Sequence, residues 1–392
     1  MKKALLISCF GWYEKRLKPI KNLIQTEYDC EILAGDFLHA FKTPVIDRNE
    51  DCTYIHVLPY KKNLSFSRLY SHYDFSRKIF RLLQSEKPDL IYVLLPPNSL
   101  GKYCGKYRNQ HNNCRLIFDV IDMWPESMPL DKVKNTFPCR IWRNMRNKAL
   151  FKADYVFTEC ELYQNELKKY LPSNFATLHL MKKQTSEETE LVREKISCIQ
   201  PLRSKNEITI GYVGSINNII DIKVIKTIIE TLLSEFNVTV RIIGDGENRQ
   251  ELIRRIEEVG ATVEYFGKIY DEKRKIEILS DCDVALNIMK ENLKVGLTIK
   301  SIDYFAYGLP IINNIKGDTW NLVATEIPGI NYSGDARDVL DFVKLLRRED
   351  HLKVLELYGK YFSENAFNAT IKNAFSQIIR SNSNGTDFNG NL

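Results

Sequence analysis

Ile208-Thr209-Ile210-Gly211-Tyr212-Val213-Gly214-Ser215 is an apolar run of strand character that closes in a glycine turn. Two more of the kind come after it, Ile242-Ile243-Gly244-Asp245-Gly246-Glu247 and Tyr265-Phe266-Gly267-Lys268. Helical spacing fills the intervals, at 224–236 and 248–259. This alternation predicts an α/β fold, a parallel sheet with helices on its faces. Three successive strands ending in glycine place tight turns along the carboxyl edge of that sheet, where such sheets bind ligands.

The stretch Lys294-Val295-Gly296-Leu297-Thr298-Ile299-Lys300-Ser301-Ile302-Asp303-Tyr304-Phe305-Ala306-Tyr307-Gly308-Leu309-Pro310 comes next in weight. A loop with Gly296 and Leu297 opens into a helix that Thr298 can cap. The first N–H groups of a helix lack intrahelical partners and the dipole is positive there, so the turn suits a diphosphate. Lys300 adds a full charge in the first turn, and Asp303, three residues on, shares its face. A carboxylate so placed can accept from two ribose hydroxyls while the ammonium faces phosphate. Alone, these residues would equally make a capped helix with a surface Lys/Asp pair. The three glycine turns ahead of it tip the reading toward a nucleotide site. Gly308 and Pro310 stop the helix.

The first half alternates too, with strands expected at 4–8, 30–33, 54–58, 90–95, 115–120 and 154–158. Helices are expected at 17–25, 75–84, 141–151 and 161–169. The run at 90–95, Leu-Ile-Tyr-Val-Leu-Leu, is that of a strand buried on both faces. The N-terminal run reads as a buried strand rather than a signal peptide, because Trp12-Tyr13-Glu14-Lys15-Arg16 replaces a small-residue cleavage site. Gly11 ends that strand and could let a substrate approach the backbone, with Trp12 beside it in the same loop; a plain turn glycine is the other reading.

A chain of 392 residues suggests two domains. Residues 1–180 hold 28 Lys and Arg against 19 Asp and Glu, a balance of +9; the remainder holds 28 against 31, a balance of −3. The first half therefore meets anionic matter more readily. Stretches 60–70 and 140–152 interleave basic and large apolar residues. Such a surface can rest on anionic membrane lipid, each basic residue adding about 1 kcal/mol. The alternative is a helix that packs Trp142 and Met145 inward and solvates its charges. No DNA- or RNA-binding module is present, which argues against nucleic acid. Nine cysteines without a C-x-x-C pair fit a reducing cytoplasm, and six dispersed histidines offer no metal site. No cofactor is expected. Asp281-Cys282-Asp283 has the D-x-D form of metal-bound sugar nucleotides but reads as a turn between helix and strand. No apolar run reaches the roughly 18 residues of a membrane span.

The order of these motifs resembles glycosyltransferase family 4, the glycosyl transferases group 1 domain. The Gly214 turn, Gly244-Asp245-Gly246, Phe266-Gly267, the strand Cys282-Asp283-Val284-Ala285-Leu286 and the Lys300/Asp303 helix ending in Gly308-Leu309-Pro310 keep that family's order. Asp119-Val120-Ile121-Asp122-Met123-Trp124-Pro125-Glu126-Ser127 is similar to the D-x-W-P-E-S segment of its bacterial polysaccharide and amino-sugar transferases. Ala153-Asp154-Tyr155-Val156-Phe157-Thr158 resembles the next strand there.

The resemblance implies the GT-B fold, two Rossmann-like domains facing a cleft. On that expectation residues 1–181 are an acceptor-binding domain, 182–206 the connection, with room for a short helix near 190–198, and 207–362 the nucleotide-sugar-binding domain. A helix at 363–380 packs back on the first domain, and 381–392 is a disordered tail. The implied donor contacts are Gly214, Ser215, Gly244, Asp245, Gly246, Gly267, Lys268, Gly296, Leu297, Thr298, Lys300 and Asp303. Asp119, Asp122 and Glu126 are the acids expected to orient an acceptor hydroxyl or stabilise an oxocarbenium-like centre. A turn cap for Asp122 and a helix-start role for Glu126 are the alternatives. The implied reaction moves a sugar from a nucleotide diphosphate sugar, UDP preferred, to a glycan or lipid-linked acceptor in capsule or lipopolysaccharide synthesis. It would retain configuration and need no metal, in the cytoplasm or at the inner membrane face.

Two departures stand out. Where many members carry Arg and then Lys after the first glycine turn, this chain has Ser215 and Ile219-Ile220. The first acid of the acid-seven-acid pattern falls on Val295, with Glu291 displaced from it. They motivate one alternative, a non-catalytic transferase-like partner subunit. A second, a nucleotide-sugar 2-epimerase on the same fold, is opposed by the Trp124-Pro125-Glu126-Ser127 segment and the lack of a histidine-rich loop.

Overall fold

The computed structural model describes residues 1–11, 14–63, 65–128, 135–199, 206–291 and 295–383, without the side chains of 14–15 and 379–383. Trp12, Lys294 and the tail beyond 383 lie outside the described residues. The chain forms two compact units, Met1–Leu180 with Phe367–Leu392, and Met181–Ala366.

The first unit carries β1 (Lys2–Ser8), α1 (Glu14–Ile24), β2 (Tyr28–Gly35), the short pair β3 (Phe37–Leu38) and β4 (Thr43–Pro44), and β5 (Cys52–Ile55). Then come α2 (Phe66–Glu86), β6 (Leu90–Leu95), α3 (Asn98–Gln110), β7 (Arg115–Val120), α4 (Phe137–Leu150), β8 (Tyr155–Thr158), α5 (Glu161–Leu167) and β9 (Phe175–Thr177). Among the described residues its main sheet has the order β5-β2-β1-β6-β7-β8-β9, parallel throughout. Strand β6 is fully buried, as its unbroken apolar run requires.

Two helices differ from expectation. Helix α2 begins at Phe66, capped by Ser65, well before residue 75. Its first turns sort residues the wrong way round: Phe66 is 91% exposed while Arg68 and His72 are buried. Periodicity therefore gave no signal there. Helix α3 was not among the expected elements; it carries Gly101 and Gly105, which weaken a helix taken alone. Both face α4 closely; a Cβ on Gly101 would meet the Ala149 Cβ at 3.4 Å.

The second unit begins with α6 (Ser186–Ser197). The segment expected as a connection thus folds into this unit, with Val192 and Ile196 buried and a Thr185/Glu188 capping box at its start. The short helix expected near 190–198 begins four residues earlier, at Ser186, and turns an apolar pair four residues apart inward. Next come β10 (Glu207–Val213), α7 (Ile222–Leu232), β11 (Asn237–Ile243), α8 (Arg249–Glu257), β12 (Thr262–Gly267), α9 (Glu272–Leu279) and β13 (Val284–Asn287). The unit closes with α10 (Ile299–Ala306), β14 (Ile311–Asn313), α11 (Asp318–Thr325), β15 (Gly329–Asn331), α12 (Ala336–Leu345) and α13 (Arg348–Tyr361). Its sheet is also parallel, in the order β12-β11-β10-β13-β14-β15. Both sheets have a Rossmann order, which reverses beside the first strand of each unit and marks that place for ligands. The last helix, α14 (Glu364–Ser383), belongs to the first unit from Phe367 onward, with the Arg16 guanidinium 5.5 Å from the Phe367 ring.

Asp119 sits at the centre of the first unit, 0% exposed. Arg16 donates to it through Nε at 2.7 Å and Nη2 at 3.0 Å, and Tyr92 through its hydroxyl at 2.8 Å. Arg16 also donates to the carbonyl of Leu178 at 2.7 Å. Burial disfavours the Arg16 charge, but the Asp119 carboxylate outweighs it and holds the proton more firmly than usual. Asp119 thus ties α1, β6, β7 and the segment after β9 together. Replacing one partner strands the other charge, so Asp119→Asn should cost about 3–5 kcal/mol in urea unfolding. An unchanged midpoint would contradict this role.

Candidate functional site

At the carboxyl edge of the second sheet the three glycine turns are sewn to one another. Gly214 N–H donates to Ile243 O at 2.9 Å, Ile216 N–H to Asp245 O at 3.0 Å, and Gly244 N–H to Gly267 O at 2.7 Å. Gly214 and Gly244 have φ of 130° and 145°. A Cβ on Gly244 would lie 1.9 Å from Gly214 O, so no other residue fits. Asp245 caps its own turn, accepting from Gly246 N–H at 2.8 Å, and Lys268 Nζ lies 3.8 Å from its carboxylate.

A second set of bonds fixes α10. Thr298 caps it, accepting from Ser301 N–H at 3.1 Å. Asn287, Asn313 and Asn331 are register partners at the ends of β13, β14 and β15. Asn287 Nδ2 donates to Asn313 Oδ1 at 2.8 Å and to Ser301 Oγ at 3.1 Å; Asn313 Nδ2 donates to Asn331 Oδ1 at 2.8 Å. This ladder was not read from the sequence, where three asparagines many residues apart give no local signal. Gly296 is held by Thr319, whose N–H and hydroxyl both donate to its carbonyl at 2.9 Å.

Between these two frames stands Lys300. It is 8% exposed, its Nζ has no hydrogen-bond partner among the described residues, and it lies 5.2 Å from the centre of the Tyr212 ring. Its Cδ lies 3.9 Å from where a Gly214 Cβ would be, so the glycine turn and the lysine adjoin. Burial pushes its pKa down from 10.5 to about 7. Asp303 does not pair with it. Lys182 Nζ donates to Asp303 Oδ1 at 2.6 Å and also meets Glu272, which accepts from Tyr307 Oη at 2.5 Å. Burial raises the Asp303 pKa, with Lys182 opposing it. A cavity of about 270 Å³ opens beside the loop before α10, lined by Lys290, Glu291, Val295, Asn314 and Lys316 among others. Glu291, displaced in sequence, shares that cavity with Val295. Ser215 is exposed, and its carbonyl accepts from Tyr212 Oη at 3.0 Å.

In the first unit the three expected acids have different surroundings. Asp119 is spent in the Arg16 pair. Glu126 accepts from Arg146 at 2.8 and 3.0 Å and from Arg143 at 2.9 Å. Burial raises its pKa, but the two guanidinium groups prevail and the net shift is downward. Asp122 has no paired cation among the described residues. It accepts from Met123 N–H at 2.7 Å, from Trp124 Nε1 at 2.6 Å and from the Ser127 hydroxyl, and burial raises its pKa. The space a Gly11 side chain would need is taken by Val45 Cγ2 at 2.9 Å and Gly35 O at 3.1 Å. Arg146, expected on a solvated face, is 1% exposed. Among the described residues no group of three His, Cys, Asp or Glu is placed to hold a metal ion.

Residues 207–347 match the family model described as Glycosyl transferases group 1. No curated protein matches the chain. Solved structures do. HepE of Anabaena in complex with UDP-glucose aligns with TM-score 0.61 at 15% identity, covering 96% of this chain and 100% of that one. Sucrose-phosphate synthase from Thermosynechococcus elongatus gives 0.64 at 13%, covering 97% and 100%. The lipopolysaccharide outer core galactosyltransferase WaaB gives 0.63 at 16%, also covering 97% and 100%. The fold is the GT-B fold, and family match and fold together support a glycosyltransferase. No helix among the described residues is long and apolar enough to cross a membrane.

The Lys300 shift has a defined consequence. Between about pH 7 and 10.5 the unfolded chain keeps a proton that the folded chain has lost, so this group makes stability rise with pH across that window. Below it the full burial penalty remains. Lys300→Met should therefore gain stability most near pH 6, on the order of a few kcal/mol, and little near pH 10. Urea unfolding of both proteins across that range checks it; a pH-independent difference would contradict the burial of a charged amine.

Proposed function

We propose that this chain is a retaining, metal-independent glycosyltransferase of the family 4 type. It would take a nucleoside diphosphate sugar, UDP-linked by preference, and glycosylate a glycan or lipid-linked acceptor of surface polysaccharide synthesis. The observation that carries the reading is Lys300: a buried ammonium with no partner among the described residues, beside a glycine turn and in the first turn of a capped helix. As the bond from the anomeric carbon to the β-phosphate oxygen breaks, charge grows on the diphosphate. A cation and helix N–H groups held in advance at that spot stabilise the leaving group without reorganising. HepE, similar in fold, is described in complex with UDP and UDP-glucose, which favours UDP here.

Glu291, in one cavity with Val295, supplies the acid that the motif position lacks and would face the donor's sugar. Asp303 holds Lys182 and, through it, the end of α10; its part in donor binding is to fix that helix and reach the ribose when Lys182 shifts. Asp122 is the acid proposed to orient the acceptor hydroxyl or to stabilise the oxocarbenium-like centre, because it alone of the three lacks an ion pair among the described residues; the acceptor's proton passes to the departing phosphate oxygen. Asp119 and Glu126 shape the acceptor side. The protein would work in the cytoplasm, at the inner membrane face when its acceptor is a lipid.

The test is a thermal-shift series with UDP, GDP, ADP, CMP and their sugars. A ligand at 100 times its dissociation constant adds about 2.7 kcal/mol, a readable shift. UDP or a UDP-sugar should give it, and Lys300→Met should remove it. Because phosphate raises the lysine pKa, binding at pH 8 should also take up close to one proton, seen as a buffer-dependent enthalpy in calorimetry. No shift with any nucleotide would overturn the reading.

A further inference from the structure

A crevice of about 540 Å³ in the first unit is walled by Phe66, Leu69 and Tyr73 of α2, Tyr103 of α3, and Trp142 and Met145 of α4. Its lining is largely apolar, yet Arg68 and His72 stand in it, each 3% exposed. Nε and Nη2 of Arg68 and both ring nitrogens of His72 have no hydrogen-bond partner among the described residues. No carboxylate forms an ion pair with Arg68 among the described residues; its cation rests 4.0 Å from the Trp124 ring, and Nη1 donates to Asn63 O at 2.8 Å. Burial lowers the pKa of Arg68 and takes that of His72 well below its ordinary value, so His72 is neutral. A second hollow of about 400 Å³ continues the crevice along α4, sharing Lys102 and Met145 and adding Lys148 and Lys152. Around the mouth Phe66, Tyr70 and Phe137 are exposed to 91%, 64% and 73%.

We propose that this crevice binds a single-chain lipid phosphate, the anchor of the acceptor, a proposal that rests on the transferase reading above. The chemistry divides cleanly. A hydrocarbon chain gains by covering aromatic and aliphatic walls that now meet water. Its phosphate supplies the direct ion pair that Arg68 lacks among the described residues, where Asp122 acts on it only through space, in surroundings of low dielectric where such a pair is strong. His72 adds a neutral ring nitrogen as a donor. The volume is that of a small-ligand pocket rather than of a two-chain phospholipid. The lysines of the adjoining hollow suit a second phosphate or an anionic surface beneath the exposed aromatics.

The experiment titrates the full chain with farnesyl phosphate and monitors tryptophan fluorescence, since Trp142 lines the crevice and Trp124 carries Arg68. Farnesol, inorganic phosphate and phosphatidylglycerol vesicles are the controls. Farnesyl phosphate should give a saturable change at a concentration about tenfold or more below farnesol, the size of one charge-assisted contact. Inorganic phosphate alone should give none. Arg68→Met should bind both prenyl probes alike. Leu69→Glu, on a partly exposed wall, should weaken both about tenfold or more while its UDP thermal shift persists. Equal affinity of the native protein for farnesol and farnesyl phosphate, binding to vesicles alone, or no saturable change would overturn the proposal. Prenyl phosphate binding in the expected pattern without any nucleotide shift would uphold the crevice and sink the donor reading instead.

Discussion

The carboxyl edge of the second sheet is drawn together by bonds that run across its strands. The turns after β10, β11 and β12 approach until the Gly214 carbonyl fills the space a side chain on Gly244 would need. On the other side of the sheet's reversal point, Asn287, Asn313 and Asn331 bond in a row and hold Ser301 at the start of α10. Lys300 is caught between these frames with its amine out of water and no acceptor in reach among the described residues. Removing an ammonium from water without a counter-ion is costly, and the fall of its pKa to about 7 is that cost in another form. Such a local loss of stability is what the proposed donor site would require, since a bound diphosphate would offset it.

The same contrast between satisfied and unsatisfied charge separates the acids of the first unit. Asp119 and Glu126 are neutralised by Arg16 and by Arg146 with Arg143, so each is part of the frame. Asp122 is held, among the described residues, only by the neutral donors Met123, Trp124 and Ser127. The turn after β7 thus fixes one carboxylate's direction without cancelling its charge, and presses Trp124 against the Arg68 guanidinium. Each unit thus holds one buried ionic group, Lys300 or Asp122, in place without a direct ion pair among the described residues.

Much of this was legible beforehand. Unbroken apolar runs such as Leu90–Leu95 gave the parallel strands, and glycine at three strand ends gave the turns, because both depend on neighbours in the chain. The cap at Thr298 and the position of Lys300 were likewise local. What stayed hidden depends on distance. The partner of Asp303, Lys182, is 121 residues away, and that of Asp119, Arg16, is 103 away. A local pattern offers Asp303 a ribose and leaves the lysine unseen. Arg68 and Arg146 were counted as surface charge, since a basic residue in a mixed stretch is ordinarily solvated; here aromatic rings and a distant glutamate enclose them. Helix α3 was missed because glycine weakens a helix by itself, and only the closeness of α4 gives it a use.

The proposed donor site turns on Lys300, a buried amine that would take up its proton when a diphosphate arrives. Its side-chain Cε resonance, assigned by difference from Lys300→Arg, reports that directly in a pH titration by NMR. The expected result is a midpoint near pH 7 in the free protein and a marked rise with UDP bound. A midpoint near 10.5 in the free protein, or one that UDP leaves unmoved, would contradict it.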